Sequence, residues 1–168
     1  MSVLVYLEIS EGKVKKSSLE VAAFGAELAK KLNTEALGIA IGKADDLTLA
    51  GNFGLNKVLN TNTDVETAQA YASIVFQAAE KLGASTVILP KSSSVDGFAS
   101  RLSVKLKANL VSNVCELPDV SSGFKVKRSI YTGKAFAWTE LKTANKVLVV
   151  KKNAFTPCLL YTSPSPRD

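Results

Sequence analysis

The chain has 168 residues, of which 46% are hydrophobic and 21% are charged, a balance typical of one globular domain with its own core. Histidine is absent, which excludes Ser-His-Asp and Cys-His catalysis and removes the commonest zinc ligand. The two cysteines, Cys115 and Cys158, are too few for a disulfide framework or a four-cysteine metal site, so we predict no metal site. The net charge of +6 includes lysines scattered along the chain with no interleaved aromatic residues. This pattern predicts a solvated surface and no nucleic-acid binding.

The apolar stretches are all short, and none approaches the roughly 20 residues that a membrane-spanning helix needs. No basic region precedes an apolar stretch at the amino terminus, and no leader rich in Arg and Ser is present. We therefore expect no membrane span, no secretion, and a location in the bacterial cytoplasm.

In the first half of the chain, short apolar runs alternate with helical patterns. Parallel strands are buried on both faces and therefore appear as continuous apolar runs. The alternation of strand and helix predicts a mainly parallel sheet covered by helices on both faces. The predicted strands occupy residues 3–7, 36–41, 57–60 and 85–89.

Capping boxes mark the starts of two predicted helices. In each, a Ser or Thr is followed three residues later by Glu, as in Ser17 with Glu20 and Thr63 with Glu66. Gly83 is predicted to end the second helix in the left-handed conformation. Residues that recur every three or four positions are predicted to face the core. They are Phe24, Leu28 and Leu32 in the first helix, Ala68, Tyr71, Ala72, Val75, Ala79 and Leu82 in the second, and Phe98, Leu102 and Leu106 in a third.

The second half of the chain contains predicted strands without helices between them. Short connections that carry Gly, Ser, Thr or Asn separate these strands and are typical of hairpin turns. The predicted fold class is therefore α/β, a Rossmann-like three-layer fold with a mainly parallel sheet and an appended antiparallel section. The predicted strands are 110–116, 124–131, 135–141 and 147–150, with turns at 121–123, 132–134 and 142–145.

A nucleotide site would need a glycine-rich loop between the first strand and the first helix. That junction, residues 8–16, is long and charged and contains the single glycine Gly12. No G-x-x-x-x-G-K-[ST] sequence occurs anywhere in the chain. The fold therefore resembles a nucleotide-binding one from which the phosphate-binding loop is missing.

Three other groups of residues could form sites, but a structural interpretation is favoured for each. The serines at 92–94 could bind an anion at a helix N-terminus, but are better explained as a loop and N-cap. Cys115 is predicted to be a small core residue inside a strand rather than a reactive thiol. Asp45 and Asp46 are predicted to be solvent-facing residues near a helix start. We therefore assign no catalytic, cofactor-binding or metal residue, and the chain favours an interaction or scaffold domain over an enzyme.

Several segments together resemble one family, the electron transfer flavoproteins, and specifically the amino-terminal domain of their alpha subunits. The resemblance lies in the order and spacing of the segments, none of which is catalytic, and it covers residues 1–156. The segments are residues 3–8, 12–16, 18–20, 87–90, 101–102, 110–114, 130–135, 146–150 and 153–155.

The resemblance implies a subunit of a heterodimeric, FAD-containing electron carrier. Such carriers take electrons from acyl-CoA-type dehydrogenases, as in fatty acid beta-oxidation, and pass them to a quinone oxidoreductase of the respiratory chain. The resemblance also implies that this domain packs against the beta subunit. In the family most FAD contacts come from a second alpha domain, and the AMP site belongs to beta. We therefore expect FAD in the full-length heterodimer and no cofactor on this fragment, which is not an enzyme by itself.

The segment 158–168 differs in composition from the rest and resembles a translated sequencing adaptor. We therefore place the native domain at residues 1–156 and a non-native tail, expected to be disordered, at 157–168. This placement implies that the natural protein continues into the FAD domain.

Two other functions share the general fold. The first is a stand-alone adenine-nucleotide-binding module of the universal-stress type, which needs a glycine-rich loop after the fourth strand. The second is a hydrolase-like enzyme, but this chain lacks the His or metal cluster that such an enzyme needs.

Trp138 is a better candidate than Phe136 for a contact with the beta subunit, because Trp is enriched at interface hot spots. For Trp138 itself, ordinary core beneath the hairpin is the favoured interpretation, and the interface contact is the alternative.

Overall fold

The computed structural model describes residues 2–62, 67–131 and 133–152. Within these ranges the chain forms an eight-stranded sheet, a small two-stranded sheet and four helices. The strands are β1 (Ser2–Leu7), β2 (Ile9–Ser10), β3 (Lys13–Val14), β4 (Ala36–Ile41), β5 (Lys57–Thr61), β6 (Ala84–Pro90), β7 (Asn109–Val114), β8 (Lys125–Ile130), β9 (Ala135–Glu140) and β10 (Lys146–Val150). The helices are α1 (Lys16–Lys31), α2 (Leu49–Asn52), α3 (Ala68–Leu82) and α4 (Ser93–Leu106).

The large sheet has the strand order β5-β4-β1-β6-β10-β7-β8-β9. The first six strands in this order are mutually parallel. Strands β8 and β9 continue the sheet in antiparallel pairing. Helix α1 packs on one face, whereas α3 and α4 pack on the other, and each face buries its own apolar cluster. The predicted α/β class, with three layers and a mainly parallel sheet, is confirmed.

The antiparallel section is smaller than predicted, because the last strand does not belong to it. Strand β10 lies between β6 and β7 and is parallel to both. Residues 142–145 are therefore no hairpin turn but the connection that returns the chain to the middle of the sheet. Val147, Leu148 and Val149 are all buried, and a strand that is apolar on both faces belongs where helices cover both faces.

The capping box predicted at Ser17 and Glu20 is wrong. Helix α1 begins at Lys16, and its N-cap residue, Lys15, makes no side-chain capping hydrogen bond. The neighbouring Ser18 hydroxyl instead accepts a hydrogen bond from the Glu8 N–H at 2.8 Å. Because α1 begins one residue before Ser17, Ser17 lies inside the first turn and cannot be its N-cap.

The start of α3 also differs from the sequence pattern. Its predicted capping box, Thr63 with Glu66, lies outside the described residues. Thr67 is the N-cap residue, and its hydroxyl accepts a hydrogen bond from the Ala70 N–H at 3.2 Å. The predicted end of the helix is confirmed, because Gly83 is left-handed with φ of +65°.

The predicted core faces of the helices are mostly confirmed. The buried predicted residues are Phe24, Leu28, Ala72, Val75, Ala79, Phe98, Leu102 and Leu106, and the half-buried ones are Leu32, Ala68, Tyr71 and Leu82.

Candidate functional site

The sheet has a topological switch point between β1 and β6. After β1 the chain builds β4 and β5 to one side, and it then crosses to β6 on the other side. In open α/β sheets, ligands bind outside the carboxyl ends of the strands at such a point. The residues that follow β1 and β6 therefore decide whether this domain can hold a nucleotide.

Glu8 follows β1 at this switch point and is only 7% exposed. Its Oε1 accepts hydrogen bonds from Lys15 Nζ at 3.1 Å and from Ser94 Oγ at 3.4 Å. Its Oε2 is buried and has no hydrogen-bond partner among the described residues. The pKa of the nearby Tyr6 hydroxyl lies far above its ordinary range. Burial is the largest cause, and the negative charge of Glu8 raises this pKa further. A phosphate placed here would meet a buried carboxylate.

The loop after Glu8 folds into the β2–β3 hairpin at the same edge of the sheet. Val14 N–H donates to Asp46 Oδ1 at 3.0 Å, and Asp45 N–H donates to the Gly12 carbonyl at 3.0 Å. Asp45 is exposed as predicted, but Asp46 is half-buried because it anchors this hairpin. The junction that carries the phosphate loop in nucleotide-binding folds is therefore a hairpin here, and hydrogen bonds to residues 45 and 46 hold it in place.

The amino terminus of α4 has the structural role predicted for residues 92–94. Ser92 is the N-cap residue, and its hydroxyl accepts a hydrogen bond from the Val95 N–H at 3.2 Å. Lys91 forms an ion pair with Asp96 at 2.9 Å. A shallow cleft of about 320 Å³ lies beside the first turns of α3 and α4. Its lining residues are Thr67, Ala68, Tyr71, Ser93, Ser94 and Gly97.

The loop between β6 and α4 contains no glycine. Strand β6 ends at Pro90 and α4 begins at Ser93, so the connection consists of Lys91 and Ser92. Gly97, the single glycine of this region in the sequence, lies inside α4. A phosphate loop of the universal-stress type has no counterpart at this position.

Cys115 is less deeply buried than predicted. It lies one residue beyond the end of β7 and is half-buried, with its Sγ 3.5 Å from the Lys127 carbonyl oxygen. Burial raises the pKa of this thiol, although the positive charge of Lys127 opposes the effect. A raised pKa favours the protonated thiol, which is the less nucleophilic form, and the absence of reactivity at Cys115 stays a prediction.

Strands β8 and β9 present an aromatic face, which consists of Phe136, Trp138 and the cross-strand residue Lys127. Phe136 is 57% exposed and Trp138 is 55% exposed. Lys127 Nζ lies 4.6 Å from the centre of the Phe136 ring and forms an ion pair with Glu116 at 3.0 Å. This face is on the side of the sheet that α3 and α4 cover at the central strands. Among the described residues, no helix packs over its aromatic rings. The favoured interpretation of Trp138 as ordinary core beneath the hairpin is wrong, because both aromatic side chains face outward.

Two functional features were missed at the level of sequence. Glu8 directly follows an apolar strand, and this position at the carboxyl end of β1 was the available signal for a buried charge at the switch point. The exposure of Phe136 was signalled by the strict alternation of residues 134–140, in which every second residue is large or charged. Within the described ranges, no cluster of Cys, Asp and Glu side chains could hold a metal ion.

Comparison with known protein families gives one family match for this chain. The family profile described as the electron transfer flavoprotein domain matches residues 3–167. The chain belongs to the electron transfer flavoprotein domain family. Proteins of this family are electron carriers associated with flavin rather than enzymes. A search of curated proteins found no match.

The family match extends across residues 157–167, which the sequence assigned to a non-native tail. Residues 153–168 lie outside the described part of the chain, so the domain boundary at 156 stays a prediction. None of the helices in the described ranges is long and apolar enough to cross a membrane.

Proposed function

We propose that this chain is the amino-terminal domain of an electron transfer flavoprotein alpha subunit. In this proposal it is the scaffold half that packs against the beta subunit in a heterodimeric, FAD-containing carrier. The carrier connects acyl-CoA-type dehydrogenases, including those of fatty acid beta-oxidation, with the respiratory chain. The observation that carries the proposal is the family match over nearly the whole chain. The buried side chain of Glu8 at the switch point supports it.

The geometry supports a scaffold role rather than a cofactor site. The switch point holds a buried carboxylate with an unpartnered oxygen, and a pinned hairpin replaces the phosphate loop. The Glu8 carboxylate oxygens are hydrogen-bond acceptors, and the nearby donors Lys15 and Ser94 already bind one of them. A pyrophosphate needs donors at this point, so the described residues do not fit flavin at this position. The proposal therefore assigns flavin contacts to a second alpha domain that follows this one, and assigns this fragment no cofactor.

We expect the isolated chain to retain no FAD. The measurement is flavin absorbance after incubation with excess FAD and removal of free flavin by desalting. The matched control is Glu8→Gln, which keeps the shape of the side chain but removes its charge. Retention of about one FAD per chain by the unaltered protein would contradict the proposal. Retention by the Glu8→Gln variant alone would show that the charge, rather than the missing loop, excludes flavin.

The partner is expected at the aromatic face, because exposed aromatic rings bordered by charged residues are typical of the centre of a protein interface. Trp138 is the single tryptophan of the chain, so labelling with 5-fluorotryptophan gives one reporter on this face. We expect the beta subunit to shift the ¹⁹F resonance and to co-elute with the domain. Trp138→Ser should weaken binding at least tenfold.

The matched control for this experiment is Val104→Ser. Val104 is an exposed apolar residue on α4, away from β8 and β9, and its substitution should leave binding unchanged. An unshifted resonance together with separate elution would remove the beta-subunit interaction from the proposal.

A further inference from the structure

A larger cleft lies at the amino ends of the central parallel strands, at the opposite edge of the sheet from the switch point. Its volume is about 360 Å³, which is near the lower end of the range for small-molecule sites. Three parts of the fold meet there: the residues that follow α1, the first residues of β1 and β6, and the connection between β9 and β10. None of the residues described at the switch point lines this cleft, so it is a separate candidate site.

The lining of the cleft combines apolar and hydroxyl side chains. Phe124 is buried and Leu32 is half-buried. Ser2 and Thr86 are also buried, and the Ser2 hydroxyl donates to the Leu82 carbonyl at 3.2 Å. A lining that joins apolar surface with a few fixed polar groups is typical of sites for small organic molecules.

Two lysines give the cleft its charge. Lys146 is half-buried, Lys142 is exposed, and none of the lining residues is acidic. Among the described residues, neither lysine forms an ion pair. Burial lowers the pKa of Lys146, because a charged amine loses solvation there. An anion in the cleft would therefore compensate a charge that the described fold leaves without a carboxylate.

The ammonium group of Lys146 is held in position by its own loop. Its Nζ donates to the Thr143 carbonyl at 2.8 Å and to the Ala144 carbonyl at 3.3 Å, and it lies 4.9 Å from the centre of the Phe124 ring. The loop is fixed in turn, because the Asn109 N–H donates to Thr143 Oγ1 at 3.1 Å. An ammonium group has three N–H donors, so the described contacts leave one for a ligand. A charge positioned in advance lowers the cost of binding.

The chemistry of the lining favours a carboxylate over a phosphate. A phosphate is bound by several donors, such as the free N–H groups of a helix N-terminus. This cleft instead lies at the C-terminal end of α1, where the N–H groups of residues 32–34 already donate to the last carbonyls of the helix. A phosphate would also leave the apolar surface of Leu32 and Phe124 uncovered.

We propose that this cleft binds a small amphipathic carboxylate, with its anionic end at Lys146 and its apolar body against Leu32 and Phe124. The proposal goes beyond the scaffold function proposed above and does not depend on it. It is tested with this chain alone, so failure of beta-subunit binding would leave it unaffected.

The test is a titration of the full ¹⁵N-labelled chain with acetate, butanoate and hexanoate, followed by ¹H–¹⁵N NMR. Hexanoate should shift the amide resonances of Leu32, Thr86 and Thr143 in a saturable way, and those of the β2–β3 hairpin should not move. Because each methylene group leaves water on binding, the affinity should rise about threefold per added carbon. Hexanamide, which has the same shape without the charge, should bind about tenfold more weakly than hexanoate.

A pair of lysine variants tests the anionic end. Lys146→Met keeps the length of the side chain but removes its charge, and it should weaken hexanoate binding about tenfold. The matched control is Lys13→Met, because Lys13 is exposed on β3 at the opposite edge of the sheet. This control should bind hexanoate like the unaltered chain. Should Lys146→Met fail to fold, the comparison of hexanoate with hexanamide still decides, since it uses the unaltered chain.

Four results would overturn the proposal. The first is the absence of a saturable shift at Leu32, Thr86 and Thr143. The second is equal affinity for acetate and hexanoate, or tighter binding of inorganic phosphate than of hexanoate, because the cleft would then be a simple anion site. The third is equal affinity for hexanoate and hexanamide. The fourth is an equal loss of binding in Lys146→Met and Lys13→Met, which would reduce the effect to the net charge of the chain.

Discussion

Replacing Leu28 by Ala should lower the free energy of unfolding by about 2–5 kcal/mol. Leu28 is 0% exposed and belongs to the apolar cluster between α1 and the sheet, which also contains Phe24 and Val5. Truncation removes buried methyl groups and leaves a cavity that the close-packed strands cannot fill. Urea unfolding followed by circular dichroism measures the loss.

The matched control for Leu28 is Leu49→Ala. Leu49 begins α2 and is 39% exposed, so its truncation should cost less than about 1 kcal/mol. A loss of under about half a kcal/mol at Leu28 would mean that this face of α1 does not bury the residue, and the helix phase described above would be wrong.

Replacing Gly25 by Ala should also destabilise the fold, by about 3 kcal/mol. Gly25 lies in the middle of α1 where the helix backbone approaches β1, and an added Cβ would overlap Val5 Cγ2. Alanine normally stabilises a helix relative to glycine by about 1 kcal/mol, so a loss here measures the close approach of helix and strand.

Two variants separate this steric effect from helix propensity. Gly51 is a helical glycine in α2 with no atom within 4 Å of an added Cβ, so Gly51→Ala should be neutral or stabilising. In a Val5→Ala background the overlapping methyl group is gone, and Gly25→Ala should then cost nothing further. If Gly25→Ala costs the same in both backgrounds, the contact with Val5 is not the cause.

The order of strands and helices could be predicted because it depends on local pattern. Continuous apolar runs predicted the parallel strands, and the recurrence of Phe24 and Leu28 predicted the buried face of α1. Residues 92–94 and Gly83 were interpreted correctly because an N-cap and a left-handed helix end need only their immediate neighbours.

The misassigned features depend on residues distant in sequence. Ser17 and Glu20 fit the sequence signature of a capping box, but α1 begins at Lys16, and the neighbouring Ser18 hydroxyl accepts a hydrogen bond from the Glu8 N–H. The position of β10 between β6 and β7 depends on the whole sheet, since nothing within residues 146–150 says which strands flank it. The position of Glu8 after an apolar strand indicates burial, but its partner Ser94 is brought to it only by the fold.

The placement of β10 has a consequence for how the chain folds during synthesis. The group β5, β4, β1 and β6 and the group β7, β8 and β9 are joined in the sheet only through β10, which follows all of them in the described part of the chain. Until it arrives, β6 and β7 each expose an apolar edge to solvent and to other nascent chains. We therefore expect the two halves of the sheet to join only after β10 has been synthesised, and a translation product that ends before Lys146 lacks the strand that joins them.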